Sequence, residues 1–376
     1  FLGTEFGLWF TLDGGKNWMP FRNGIGTVSA MDLAIHPREN DLIIATHGRA
    51  LYIVDDISPL RALTPAIMEK GIHLFPAGSA YQFPFLNMAG TISPGSGEFR
   101  GTNRPYGAFF DYILSDNALP SSDKPGVGEG EKPKDKAVFI ISDEQGKIVR
   151  HLSFEPKRGL NRAVWAFESD PFKQAPNDPD NPFPAESSGP VVPPGTYQVR
   201  LEYKDLSAET EIHVHLQQET SEQLAAHQAI WEWNLKLGHW NDSAVDMIRK
   251  LQAVKDEIGQ RRRQLKRLVQ DLPEYQRTKI DEDPRMKALA DLEKSIGDLE
   301  KELWIPPGTP GILPDSDVLS AIQRGMYFLN SATGKPTPNL EQHLNTIGQQ
   351  VESFTKKFES FQKETLTPWQ SQSTQP

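Results

Sequence analysis

From about Ser221 onward, apolar residues recur at alternating steps of three and four. Ile230, Trp233, Leu237, Trp240, Ala244, Met247, Leu251, Val254, Ile258, Leu265 and Leu268 fall on one helical face, with Arg261 the one polar residue on the stripe. The phase runs through Gly238 and Asn241, so the spacing predicts one continuous helix of about 50 residues, roughly 75 Å long. Asp283 followed by Pro284 is a cap with proline in the first turn. It opens a second helix carrying Leu289, Leu292, Ile296, Leu299 and Leu303. A shorter helix is predicted over 316–331. Thr337-Pro338 opens the last one, whose stripe is Leu340, Leu344, Ile347, Val351, Phe354, Phe358 and Phe361. Long, capped stripes joined by short loops predict an antiparallel helical bundle over 217–367, followed by a polar tail at 368–376.

Ahead of the bundle the pattern is that of strands. Segments 28–35, 42–45 and 51–54 form one group; segments 108–114, 137–142, 148–153, 163–167, 197–203 and 209–215 form a second. Asp143-Glu144-Gln145-Gly146 is a hairpin turn within the second group, and Trp165 and Tyr197 are candidate core residues. Residues 58–104 lack periodicity and are rich in Pro, Gly and Ser, so they read as a linker. Two further loops, 120–135 and 170–190, have the composition of exposed connections.

The first group contains a repeat and a motif. Thr4 to Asp13 can be laid over Thr46 to Asp56 with one inserted residue, which puts Trp9 on Tyr52 and Asp13 on Asp56 at an offset of 43 residues. Propeller blades repeat at about 40–45 residues. Within the first copy stands Thr11-Leu12-Asp13-Gly14-Gly15-Lys16-Asn17-Trp18. Asp13 is suited to accept hydrogen bonds from backbone N–H groups of a tight turn, Gly14 and Gly15 tolerate positive φ, and Trp18 packs back on the strands. In the second copy the motif has decayed, with Ser58 where Gly15 would map, and a fourth strand is missing before Pro59.

Thr11, Asp13, Gly15 and Trp18 resemble the Asp box of bacterial sialidase-type (BNR-repeat) and sortilin-type β-propellers. The resemblance implies that residues 1–57 are the last two blades of a propeller, the final one incomplete because closed propellers borrow a strand from the other chain end. Phe1-Leu2-Gly3-Thr4 reads as the middle of a strand, so the chain is expected to be the C-terminal portion of something longer. The region 105–216 is similar to the Ig-like sandwich that follows such propellers, and to that of flagellar hook-capping proteins. That likeness rests on Ile141-Ser142-Asp143-Glu144-Gln145-Gly146-Lys147-Ile148-Val149-Arg150, on Gly159-Leu160-Asn161-Arg162-Ala163-Val164-Trp165 and on Pro194-Gly195-Thr196-Tyr197-Gln198-Val199. The expected fold is therefore multidomain β + α: last propeller blades, an Ig-like β-sandwich and an antiparallel helical bundle with one long helix.

Composition narrows the function. A net charge of −10 and a pI near 5.5 argue against a general nucleic-acid binder. The absence of cysteine removes disulfides, thiolate metal sites and cysteine nucleophiles. No apolar run reaches the ~20 residues of a membrane span. No catalytic residue, metal ligand set or cofactor is assigned. Asp boxes lie on the propeller periphery in the resembled proteins; their chemistry needs an arginine cluster with a tyrosine, or two carboxylates across a groove.

Thr46-His47-Gly48-Arg49 resembles the last-blade signature of this propeller group. His47 and Arg49 are candidates to bind an anionic or sugar ligand; the favoured reading is structural, with Arg49 paired to Asp55 or Asp56 and His47 capping a turn. Asp178, Asp180 and Asn181 look like a calcium loop without its glycine or distal glutamate, so a solvated loop is favoured. His213 and His215 share a strand face as a two-ligand pair, with a solvent-facing strand edge the favoured reading. Arg261-Arg262-Arg263 with Lys266 and Arg267 reads as a solvated helix face. Trp233 and Trp240 fall on the packing stripe, Trp231 off it, and the sequon at Asn241 lies inside the long helix.

The expected function is a non-catalytic binding or assembly region of an exported protein, secreted or in the cell envelope. It would bind a glycan or protein ligand at the propeller, and a protein partner or a second copy through the bundle. The alternative is part of a glycoside hydrolase acting on extracellular polysaccharide, with its catalytic residues in other blades.

Overall fold

The computed structural model describes residues 1–83, 101, 103–115, 118–119, 135–176, 188–270, 280, 283–306, 309, 317–332 and 334–372. The architecture is mixed β and α with several sheets. It divides into two units, Phe1–Phe167 with Pro194–Gln218, and Glu168–Pro193 with Glu219–Pro376.

In the first unit, β1 (Leu2–Thr4), β2 (Gly7–Phe10) and β3 (Met19–Phe21) form an antiparallel sheet, and β4 (Ala30–Ile35), β5 (Leu42–Thr46) and β6 (Leu51–Val54) form another. Hairpins β1–β2 and β5–β6 close alike. Thr4 Oγ1 donates to the carbonyl of Gly7 at 2.8 Å, and Thr46 Oγ1 to that of Ala50 at 2.7 Å. Gly7 and Ala50 both take positive φ, and the residue inserted in the second copy sits inside this turn. Gly3 meets Ala30 so closely that a Cβ would lie 2.6 Å from the Ala30 oxygen, which brings the sheets edge to edge. Leu8, Ile25, Val28, Leu42, Ile44 and Ile57 make their shared core, while Leu51 and Ile53 on the other face of β6 stay exposed.

The segment expected to be a linker, 58–104, is not one over its described part. It carries α1 (Ser58–Ala62), α2 (Pro65–Glu69), β7 (Ile72–Leu74) and β8 (Ala80–Gln82). β7 pairs antiparallel with β9 (Ala108–Leu114), and β8 runs parallel to the end of β14 (Leu206–Leu216). Strands of three residues are too short to show a period of two, and their partners are remote in sequence.

With β10 (Ala137–Ser142), β11 (Ile148–Phe154), β12 (Gly159–Trp165) and β13 (Gly195–Tyr203), these build sheets of order β11-β10-β13-β14-β8 and β12-β9-β7. The sheets face each other across aromatic rings. Phe110 stacks on Phe139 at 5.6 Å and Trp165 meets Tyr197 edge-on at 5.2 Å, all four buried. Asp143 Oδ1 accepts from the amides of Gln145 and Lys147, and Gly146 at φ +77° completes the β10–β11 turn. β12 starts earlier than 163 because buried Asn161 holds its entry, bonding the N–H and C=O of Lys157, both at 2.7 Å.

The second unit is built on α3 (Ser221–Gln270), a single helix of 50 residues. α4 (Pro284–Leu303), α5 (Val318–Asn330) and α6 (Pro338–Phe361) are capped by Asp283, Asp317 and Thr337, whose side chains accept from Arg285, Ser320 and Leu340 amides. Lys255–Glu300 and Arg262–Glu293 ion pairs, at 2.7 and 2.6 Å, order α3 and α4 antiparallel. The predicted stripes supply the core, from Leu237 to Ile258, Leu289 to Leu303 and Leu344 to Phe358; Leu268 falls outside it at 68% exposure.

Two further boundaries differ from expectation. The described residues of 168–193, expected within the sandwich, group with the helices because 172–175 lie along α3. The polar tail is helical to Gln372: a π-helical turn at Gln362–Leu366 leads into α7 (Thr367–Gln372). There Trp369 packs on the core and takes Arg261 over its ring at 3.9 Å, which explains an arginine on the apolar stripe.

Candidate functional site

The turn between β2 and β3 is organised by two side chains. Thr11 Oγ1 accepts from the Gly15 amide at 2.9 Å and donates to Asp13 Oδ1 at 2.8 Å. Asp13 Oδ1 also accepts from the amides of Lys16 and Asn17, at 3.0 and 2.9 Å, and Oδ2 from the Asn17 side chain at 2.7 Å. The Asn17 donors, then the Thr11 hydroxyl, hold the Asp13 carboxyl down at about 2. Gly14 and Gly15 sit at φ +71° and +91°. The Trp18 indole lies against Gly15 and is 42% exposed. Among the described residues, the side chain of Asp56, at the equivalent position of the second copy, accepts only from the Ser58 amide, at 3.0 Å.

His47 and Arg49 stand in the exposed β5–β6 turn, where the His47 amide donates to the Ser29 carbonyl at 3.0 Å and Gly48 takes φ +84°. Neither side chain has a hydrogen bond or ion pair among the described residues, so the favoured pairing of Arg49 with Asp55 or Asp56 is not formed.

Arg162 takes the main chain there instead. Its Nη1 donates to the Asp55 carbonyl at 2.7 Å and its Nη2 to that of Asp56 at 2.9 Å, while Nε and Nη2 grip Asp111. Arg162 and Arg104 both lie over the Phe109 ring, at 4.7 and 4.5 Å. Arg104 reaches Glu39 and Asp41 at 3.5 and 3.6 Å. Burial pushes the carboxyls of Asp55 and Asp111 above their usual range, against the opposing pull of the arginines. No sequence motif named above joins Arg162 to Asp111. The signal was Asp111 itself, a lone carboxylate in the otherwise apolar run Ala108–Leu114, which demands a cationic partner.

His213 accepts or donates at 2.9 Å with Thr196 Oγ1, and His215 stacks on Tyr81 at 5.2 Å. The end of β14 that bears His215 is not the expected strand edge, because β8 pairs beyond it. Among the described residues no group of three or more His, Asp or Glu could hold a metal ion. Asp178, Asp180 and Asn181 lie outside the described residues. In the basic run, Arg261 pairs with Glu257 and Arg262 with Glu293. Trp240 packs its ring on Gly348 and lines an open groove of about 850 Å³ between α3 and α6, with Ser243, Asn345, Glu352 and Lys356. Among the described residues, no helix is long and apolar enough to cross a membrane.

No protein-family model, curated protein or solved structure matches this chain.

Proposed function

We propose that this chain is a binding and assembly region of an exported propeller protein of the sialidase-like and sortilin-like Asp-box group. In this reading residues 1–57 are propeller blades, the two facing sheets are an Ig-like sandwich and the helices are an antiparallel bundle that docks a partner. The observation that carries it is the engagement of Thr11 and Asp13 in their own turn: the motif braces a strand connection and leaves its carboxylate held ionised by local donors. The exposure of His47 and Arg49 in the β5–β6 turn supports reading them as the groups that meet an anionic glycan or protein ligand.

The test is to incubate the chain with sialyllactose and a panel of polysaccharides, following both binding and sugar release. Release stays at the buffer rate, and binding of the anionic sugar weakens about tenfold in Arg49→Ala, the size of one lost charge-assisted contact. Sugar release above buffer overturns the non-catalytic reading in favour of a glycoside hydrolase. Unchanged binding in Arg49→Ala removes the ligand from the 46–50 turn.

A further inference from the structure

The stretch 172–175 lies along α3 in an arrangement that resembles a bound peptide more than a packed loop. Three α3 side chains read main-chain groups of two consecutive residues. Asp242 Oδ1 accepts from the Lys173 amide at 2.7 Å, Asn241 Nδ2 donates to the Lys173 carbonyl at 2.8 Å, and Arg249 donates to the Gln174 carbonyl at 3.2 Å. Asn241 is 7% exposed, so its amide is committed to this contact. Two side chains of the stretch are read as well. The Phe172 ring occupies the space that a Cβ on residue 238 would fill, which accounts for a glycine inside a long helix. Lys173 Nζ bonds both oxygens of Asp246, at 2.8 and 2.6 Å.

We infer that Gly238, Asn241, Asp242, Asp246 and Arg249 form a receptor on α3 for an extended peptide presenting an aromatic residue followed by lysine, filled here in cis by Phe172-Lys173. Main-chain hydrogen bonds give such a site affinity, while the ring slot and the carboxylate give it sequence preference. The cis segment competes at the high effective concentration of a tethered ligand, so an incoming peptide must displace it. The site is independent of the reading of residues 1–57.

A synthetic peptide of residues 168–176 is titrated into the whole chain and into its Lys173→Ala variant, with binding read calorimetrically and helicity by circular dichroism. Lys173 is half exposed, and its replacement weakens the cis competitor without touching the core. The peptide binds Lys173→Ala about tenfold more tightly than the parent chain. Peptides carrying alanine for the phenylalanine or for the lysine bind the same variant at least tenfold more weakly. Asp246→Asn in the opened chain abolishes the preference for lysine. Equal affinity for parent and variant, equal binding of the three peptides, or no binding at millimolar peptide to a variant of unchanged helicity overturns the proposal.

Discussion

Arg162 grips both carboxylate oxygens of Asp111, Nε to Oδ1 at 2.8 Å and Nη2 to Oδ2 at 3.0 Å, and the same guanidinium satisfies the carbonyls of Asp55 and Asp56. One side chain on β12 therefore ties the chain leaving β6 to the sheet that contains β9. Asp111 is 6% exposed, so its charge has no substitute partner in water.

Arg162→Ala is expected to cost about 3 kcal/mol in urea unfolding, the usual result of stranding a buried charge. Arg162→Lys recovers less than half, since an ammonium cannot span a carboxylate as the guanidinium fork does. The pH dependence has a definite sign. Burial raises the Asp111 carboxyl above 3.8, so the folded state holds the proton more tightly and this group's contribution to stability falls as pH rises through that window. Removing Arg162 raises it further, and the deficit of Arg162→Ala shrinks between pH 7 and pH 4. A deficit that is the same at both pH values refutes the account.

Asp13 behaves oppositely. Its carboxyl is held down at about 2 by the Asn17 and Thr11 donors, so what it adds to the turn is fully present above 3.8 and is lost as pH falls through 2. Carbon-detected titration should find this carboxyl ionised at pH 3. Asp13→Ala should abolish the slow hydrogen exchange of the Lys16 and Asn17 amides and leave β4–β6 amides unchanged.

Gly238 and Gly297 form a matched test of helix propensity against packing. At Gly297 in α4 nothing lies within 4 Å of a built Cβ, so Gly297→Ala should stabilise by about 0.5–1 kcal/mol. At Gly238 the same change drives a methyl into the Phe172 ring and should destabilise by about 1–3 kcal/mol. Phe172→Ala should then remove the penalty of Gly238→Ala, giving a coupling energy in a double-mutant cycle. Additive single effects would show that the ring is not what forbids a side chain at 238.

Trp369 should report on the end of the helical unit. Trp369→Ala loses the Arg261 contact and part of the core packing, at a cost of about 1–2 kcal/mol. Thermal unfolding and quenching of the indole by iodide measure it. A melting temperature equal to that of the parent would return residues 368–372 to the status of a tail.

The helical half was largely legible in sequence. The stripes from Leu237 to Ile258 and from Leu344 to Phe358 repeat over many turns, and Asp283-Pro284 and Thr337-Pro338 mark their starts with local chemistry. The strands 108–114, 137–142 and 51–54 were legible for a similar reason, since each is long enough to show alternation or a buried run. β7, β8 and the helical stretch 367–372 were not. Three-residue strands and a single polar turn carry no period, and they are stabilised by partners far along the chain.

The sequence by itself determined what depends on neighbours a few residues apart: helix phase, caps, the 43-residue recurrence of two hairpins and the Thr11–Asp13 turn. Only the tertiary structure decided which long-range partners the polar residues take. Arg162 chose Asp111 and the carbonyls of Asp55 and Asp56 over solvent, and Asn241 and Asp242 took the main chain of Lys173 from about 70 residues away. Buried polar groups must find a partner, but the requirement does not say which, because distance along the chain does not enter the energy of the hydrogen bond once the fold has closed.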